Sequence, residues 1–229
     1  GGGGEPLTRT PDIPDWDAWQ PVGPSALSYG PGWEPPRALE RAEIPDAIDA
    51  WGQAARRAHE AGFEALEIHA AHGYLLHSFF SPEANRRTDD YGGSEANRMR
   101  LILEVVEAVR AHWPADKPLF MRLSVEDEAG LGPAEHIRLA RAAKPLGVDV
   151  IDCSTGGLNA KVPNFHRLNQ YGFQVPYADQ VRRGAEIMTM AVGLIIHADQ
   201  AEAILQAGSA DLVAVGREFL NNPCWAMDA

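Results

Sequence analysis

Between Phe63 and Glu218 the chain alternates short, almost wholly apolar runs with segments whose apolar residues recur at helical spacing. That alternation restricts the fold more than any other feature. The apolar runs read as strands over 63–69, 118–124, 148–154, 190–196 and 210–218. Near-continuous apolarity marks strands buried on both faces, the condition of a parallel sheet covered by helices. The intervening helices fall at 44–61, 94–112, 133–146, 177–187 and 199–207. The first ends at Gly62, a plausible C-cap. The second begins at Ser94, placed to cap it, and carries Leu101, Val105 and Val109 down its buried stripe.

Two architectures answer to this pattern, a doubly wound sheet and a (β/α)8 TIM barrel. Polar residues or glycines close the strands at their carboxyl ends: His69, Arg122, Ser154, Gly193, Gly216 and Arg217. Barrel enzymes keep their chemistry at that end. No G-x-G-x-x-G follows any strand, which counts against a dinucleotide-type sheet. The expected fold is therefore α/β, a TIM barrel of which residues 44–229 supply the last five βα units. A closed barrel takes eight strands, and five leave two raw sheet edges. The chain is expected to be incomplete and to need a complementary barrel segment. Residues 1–43 are rich in Pro and Gly and hold Trp16, Trp19 and Trp33, so an irregular covering loop is expected there. Gly1–Gly4 reads as a flexible stretch or linker.

Bulk properties narrow the function. A net charge of −12 argues against a nucleic-acid partner. No apolar run reaches the roughly 20 residues of a membrane span, and no leader sequence is visible. The two cysteines, Cys153 and Cys224, make neither a disulfide framework nor a zinc set, and read as reduced thiols in a cytoplasmic protein. An anionic cofactor remains compatible, since backbone amides and one arginine hold phosphate locally.

The most informative stretch runs EIHAAHGYLLHSFFSPEANRRTDDYGG from Glu67 to Gly93. Glu67 and His69 share one strand face by the period-two rule. His69 and His72, followed by Gly73 and Tyr74, put two imidazoles beside a phenol where a carbonyl oxygen and a proton can be managed. Satisfied core histidines and a packing tyrosine are the bland alternatives. A metal site from His69, His72 and His77 lacks a placed carboxylate or fourth ligand. Arg122 ends an apolar strand and must be paired if buried, with Glu67 as one structural partner. Gly193, Gly216 and Arg217 close the last two strands, where barrels often bind phosphate. The acidic run Glu126-Asp127-Glu128 reads as a solvated cluster. An aldolase or metal-hydrolase barrel is disfavoured, since Lys117, Lys144 and Lys161 lie outside strand ends and no carboxylate-rich metal set is present.

These residues resemble the Old Yellow Enzyme family. The match rests on EIHAAHGYLLHSFFSP, on N-x-R-x-D-x-Y-G-G across Asn85, Arg87, Asp89, Tyr91 and Gly93, on the Arg of PLFMRLS, and on the VGRE near the end. Having His at both 69 and 72 resembles the bacterial branch that includes xenobiotic reductases and NADPH dehydrogenases. The resemblance implies an FMN-dependent ene-reductase using NADPH or NADH on α,β-unsaturated small molecules (enones, enals, maleimides, nitroalkenes). It implies His69 and His72 as donors to the substrate carbonyl oxygen, Tyr74 as proton donor, Arg122 beside the flavin ring, and Gly193, Gly216 and Arg217 at the FMN phosphate. It places the chain at strands four to eight of the family barrel; Ala96 and Phe173 depart from common family residues. A non-catalytic piece of a split or permuted barrel is the alternative, and a homo-oligomer is compatible with either.

Overall fold

The computed structural model describes residues 20–159 and 170–228. A five-stranded sheet is its frame, formed by β3 (Leu66–Ala70), β4 (Leu119–Ser124), β5 (Val150–Ser154), β6 (Met188–Val192) and β7 (Leu212–Ala214). Every pairing is parallel and the order is strictly sequential, β3-β4-β5-β6-β7. A doubly wound sheet would reverse direction at a switch point; this one never does. It is a sector of a barrel wall.

Ahead of the sheet lie β1 (Val22–Gly23) and β2 (Arg37–Ala38), a short parallel pair inside the region expected to be irregular, and helix α1 (Ile44–Glu60). Trp33 of that region packs edge-on against Tyr29, ring centroids 5.0 Å apart; Trp16 and Trp19 lie outside the described residues. Helix α2 (Leu75–Phe80) follows β3, and α3 (Glu95–Arg110) precedes β4. Then come α4 (Pro133–Ala143), α5 (Val175–Ala185) and α6 (Ala198–Gln206), each ahead of the next strand. Short helices α7 (Arg217–Asn221) and α8 (Trp225–Asp228) end the described chain.

The helix-facing side of the sheet is dry: Leu119, Met121, Leu123, Ile151, Cys153 and Ala191 are fully buried there. Helix α3 covers it with Leu101, Val105 and Val109, as its spacing predicts, joined by Ile102 and Val106. Ser94 Oγ accepts from the Asn97 amide and caps that helix. Gly62 takes the left-handed conformation just past α1, the role its position suggests. Helix α1 comes close to α3 because residue 52 is glycine; a Cβ there would lie 3.1 Å from the Ala108 carbonyl oxygen.

The strands differ in extent from the sequence reading, most in the first, fourth and last. The first strand begins at Leu66, since Phe63 is 60% exposed on the turn after α1. The fourth covers Met188–Val192, because Gly193 at φ +115° and Leu194 at φ +49° turn the chain away. The last is Leu212–Ala214, and Arg217 already starts a helix. Apolarity continues past each turn, so hydropathy alone extends the strands.

The amino-terminal edge of the sheet repeats one device. Asp149 accepts the Leu119 amide that opens β4 at 2.8 Å and pairs with Arg110 of α3 at 2.9 Å. Asp211 accepts the Thr189 amide at the start of β6 at 3.0 Å and pairs with Arg182 of α5 at 2.9 Å. Each aspartate satisfies a strand's orphan donor and staples the preceding helix to the barrel floor.

The motif Asn85-x-Arg87-x-Asp89-x-Tyr91 is a knot of internal bonds. Buried Asn85 donates to the Phe79 and Tyr91 carbonyls at 2.6 and 2.7 Å, and accepts the Arg87 amide at 3.0 Å. Arg87 forks onto Asp89 and reaches the Leu39 carbonyl, pinning the covering region. Gly92 is required, because a Cβ would lie 2.3 Å from the Arg87 carbonyl oxygen. The motif therefore shapes the loop and does no visible chemistry. Asn85→Ala orphans three backbone groups and is expected to cost about 2–3 kcal/mol, read as a lowered denaturation midpoint; a loss under about 0.5 kcal/mol, the range of ordinary surface changes, would contradict this account.

Candidate active site

Parallel register builds the site. His69 pairs with Arg122, and Arg122 with Asp152, so three polar residues form one row across β3, β4 and β5 on the inner face. One step closer to the carboxyl edge, Ser124 pairs with Ser154. Side chains on that face are less covered than those beneath the helices: among the described residues Met188 is 51% and Leu212 40% exposed.

His69, His72 and Tyr74 come together at the end of β3. The His69 ring centroid lies 5.2 Å from that of His72 and 5.1 Å from that of Tyr74. The turn that gathers them is tight. His72 sits at φ +56° and Gly73 at +74°, two successive left-handed residues. The loop after β5 touches it backbone to backbone: a Cβ on Gly73 would lie 2.2 Å from the Gly157 carbonyl oxygen. Ser124 Oγ accepts the His72 amide at 3.0 Å and donates to the Gly156 carbonyl at 2.7 Å, tying both loops to β4.

The electrostatics favour uncharged imidazoles. Burial, and then the Arg122 guanidinium, lowers His69 and takes His72 down to about 4. His72 Nε2 is 2.7 Å from the Ser154 hydroxyl. Gln174 Oε1 accepts from Thr155 at 2.8 Å and lies 3.3 Å from the same Ser154 hydroxyl, whose one proton goes either to it or to His72 Nε2. Neither Gln174 nor Asp152 stands out in the sequence, because each has meaning only through its neighbours across the sheet.

The ion contact of Arg122 is with Asp152, and Glu67 feels the guanidinium only through the field between them. Arg122 Nε is 3.3 Å from Asp152 Oδ2, an ion contact without hydrogen-bond geometry. Loss of hydration raises Asp152 to about 6, against the opposing pull of Arg122. Glu67 goes up to about 7, through lost hydration on its packed side and then the Asp152 carboxylate. The pair thus holds a proton near neutrality, beneath a fixed cation.

Among the buried polar atoms left without a partner are His69 Nδ1, Arg122 Nε and Asp152 Oδ1. Orphaned donors and acceptors in one row mark where a polar ring edge fits. Val192 pairs with Ala214, so Gly193 and Gly216–Arg217 leave adjacent strands side by side. Gly193 lies at φ +115°, a conformation that strains any other residue, whereas a Cβ on Gly216 would meet nothing within 4 Å. Arg217 is exposed and makes no ion pair among the described residues. A fixed cation in a polar row and an exposed arginine beside two glycines are a chemistry that suits a flavin mononucleotide.

The acidic run is not the solvated cluster its sequence suggests. The Asp127 side chain is fully buried against His77, and Glu128 accepts the Gly157 and Leu158 amides, each at 3.1 Å. Glu126 accepts from the Tyr177 hydroxyl. All three carboxylates are used in shaping loops. Backbone amides buried by later folding attract them, and hydropathy does not register that.

Neutrality of the buried histidines is testable. His136 on α4, fully buried, is also lowered to about 4, chiefly by desolvation. A base whose folded pKa is depressed contributes stability that is present above its unfolded pKa, about 6.5, and is lost as pH falls through the folded value. Imidazole NMR shifts are expected to show His72 and His136 still uncharged at pH 6, with midpoints near 4. Midpoints near 6.5 would rule out their desolvated settings.

Comparison with known proteins identifies the family. The profile of the NADH:flavin oxidoreductase / NADH oxidase family matches residues 20–229. An NADPH dehydrogenase of Listeria monocytogenes is 46% identical over 211 residues, 91% of this chain and 60% of the relative. One from a Geobacillus species is 47% identical over 206 residues, 89% and 59%. Among solved structures, morphinone reductase superposes with TM-score 0.75 at 30% identity, covering 93% of this chain and 61% of that one. An old yellow enzyme homologue from Zymomonas mobilis gives 0.73 at 28%, covering 93% and 62%. The chain spans about three fifths of the length of the curated relatives it matches. It belongs to the NADH:flavin oxidoreductase / NADH oxidase family, on a TIM-barrel scaffold of which it forms five strands.

Proposed function

We propose that the protein is an NAD(P)H-dependent, FMN-containing reductase of activated C=C bonds, in enones, enals, maleimides or nitroalkenes. The observation that carries this reading is the packing of His72 and Tyr74 against His69, in a row with the Arg122–Asp152 pair. Relatives named NADPH dehydrogenase and morphinone reductase support it.

FMN, when bound, supplies the hydride chemistry between the nicotinamide and the substrate. The rest is work for the chain. His69, kept uncharged, donates an N–H group to the substrate's carbonyl or nitro oxygen, and His72 adds a second through Nδ1–H in the tautomer whose Nε2 accepts from the Ser154 hydroxyl. Negative charge grows there as hydride reaches the β-carbon, so donors fixed beforehand stabilise the transition state more than the ground state. A neutral donor suits this step, since it polarises without surrendering its proton. Tyr74, 48% exposed at the same rim, is placed to deliver a proton to the α-carbon. Arg122 would hold the polar edge of the flavin ring, and Gly193, Gly216 and Arg217 its phosphate.

A complementary barrel segment is part of the proposal. Strands β3 and β7 are the unpaired edges of the five-stranded sheet, and Met188 and Leu212 on its inner face are half exposed among the described residues. Unpaired edges and bare apolar faces call for cover. We infer that a complementary barrel segment pairs with both edges. Limited proteolysis, mass spectrometry of the intact preparation and its absorbance near the flavin band would test this. A colourless, aggregating chain that turns yellow once the segment is supplied is the expected result; a lone chain that binds FMN at full occupancy contradicts it.

In the FMN-loaded protein, His69→Ala is expected to lower enone turnover by on the order of 100-fold with flavin retained. Loss of the flavin instead would remove His69 from the substrate side. Arg217→Ala is expected to weaken FMN binding by about 10- to 100-fold, measured by fluorescence titration; unchanged affinity would take Arg217 out of the phosphate site.

A further inference from the structure

Behind the histidine pair lies a buried relay that the proposed chemistry does not use. The Gly73 amide donates to His77 Nδ1 at 2.9 Å. An amide N–H can only donate, so Nδ1 presents its lone pair and the ring proton sits on Nε2. Nε2 in turn is 3.0 Å from Asp127 Oδ2. The two side chains are 1% and 0% exposed. The other carboxylate oxygen, Oδ1, accepts the Ala129 and Leu131 amides at 2.8 and 3.1 Å. One continuous chain of bonds therefore runs from the β4 loop through Asp127 and His77 to the backbone between His72 and Tyr74.

That backbone needs holding. His72 and Gly73 both lie in the left-handed region, which is strained for a histidine. Gly73 is pressed against Gly157 on one side, and Ser124 fixes the His72 amide on another. The remaining amide, that of Gly73, has His77 as its partner. Without an acceptor there, a buried donor would stand open, and the turn would relax toward ordinary dihedrals, carrying His72 and Tyr74 with it.

We propose that His77 and Asp127 are positioning residues for the reductase reaction, holding the Gly73 amide so that His72 and Tyr74 face the substrate. The inference rests on the reductase reading for the reaction it serves, but the brace itself stands on geometry. It also gives His77 and Asp127 a use that neither a metal site nor a solvated acidic run provides.

Two substitutions separate the halves of the relay in the FMN-loaded protein. In His77→Asn the amide oxygen can occupy the place of Nδ1 and accept from Gly73, but it cannot span to Asp127. In His77→Gln the amide nitrogen can reach toward Asp127, leaving no acceptor at Nδ1. Both lose one bond and are expected to melt at similar, lowered temperatures. Enone turnover should part them: a fall on the order of 10- to 100-fold for the Gln variant, against a few-fold for the Asn variant. Hydrogen exchange of the Gly73 amide should remain slow in wild type and His77→Asn and quicken in His77→Gln. Turnover and exchange that simply follow the melting temperature in both variants would reduce the relay to a structural contact and overturn the proposal. Should the wild-type protein not reduce enones at all, the reductase reading fails, and the Gly73 exchange comparison still decides whether the brace exists.

Discussion

The in-register pairing of parallel strands is the constraint on which the site depends. His69, Arg122 and Asp152 come from segments separated by dozens of residues, yet the β3-β4-β5 ladder sets them side by side. A slip of one residue in any strand would turn its polar member into the helix-facing layer, where the neighbours are Met121, Ile151 and Cys153. Charge in that layer would have no partner. The apolar packing thus enforces the polar row, and the aspartate staples at the sheet's other end, Asp149 and Asp211, help fix the same register.

Within the row the charges are arranged asymmetrically. Arg122 is a permanent cation, Asp152 and Glu67 compete for protons near neutrality, and the two histidines are driven uncharged. Burial first, and then the Arg122 guanidinium, drives both imidazoles towards their neutral forms, so one fixed cation faces uncharged rings on one side and carboxyls on the other.

Much of this was legible beforehand, and the limits have physical causes. The alternation of apolar runs and amphipathic helices revealed the parallel sheet, since burial on both faces leaves a direct trace in hydropathy. The cluster of His69, His72 and Tyr74 was legible because all three lie within six residues of sequence. Asp152 and Gln174 were not, because their importance comes from cross-strand neighbours. The run at 126–128 was misread for a related reason: carboxylates that accept backbone amides look the same in sequence as carboxylates in water. Strand ends were misplaced where Leu194 and its neighbours stay apolar through a turn set by glycine. The Asn85–Tyr91 motif announced the family clearly, although its bonds show it to be a device for folding a loop.

The contact between Gly73 and Gly157 has a consequence for altering this pocket. A Cβ on either glycine would overlap the opposite backbone, at 2.2 Å in one direction and 2.7 Å in the other. The two loops therefore meet main chain on main chain, and any larger residue at either position has to push one loop off the other, moving the turn that carries His72.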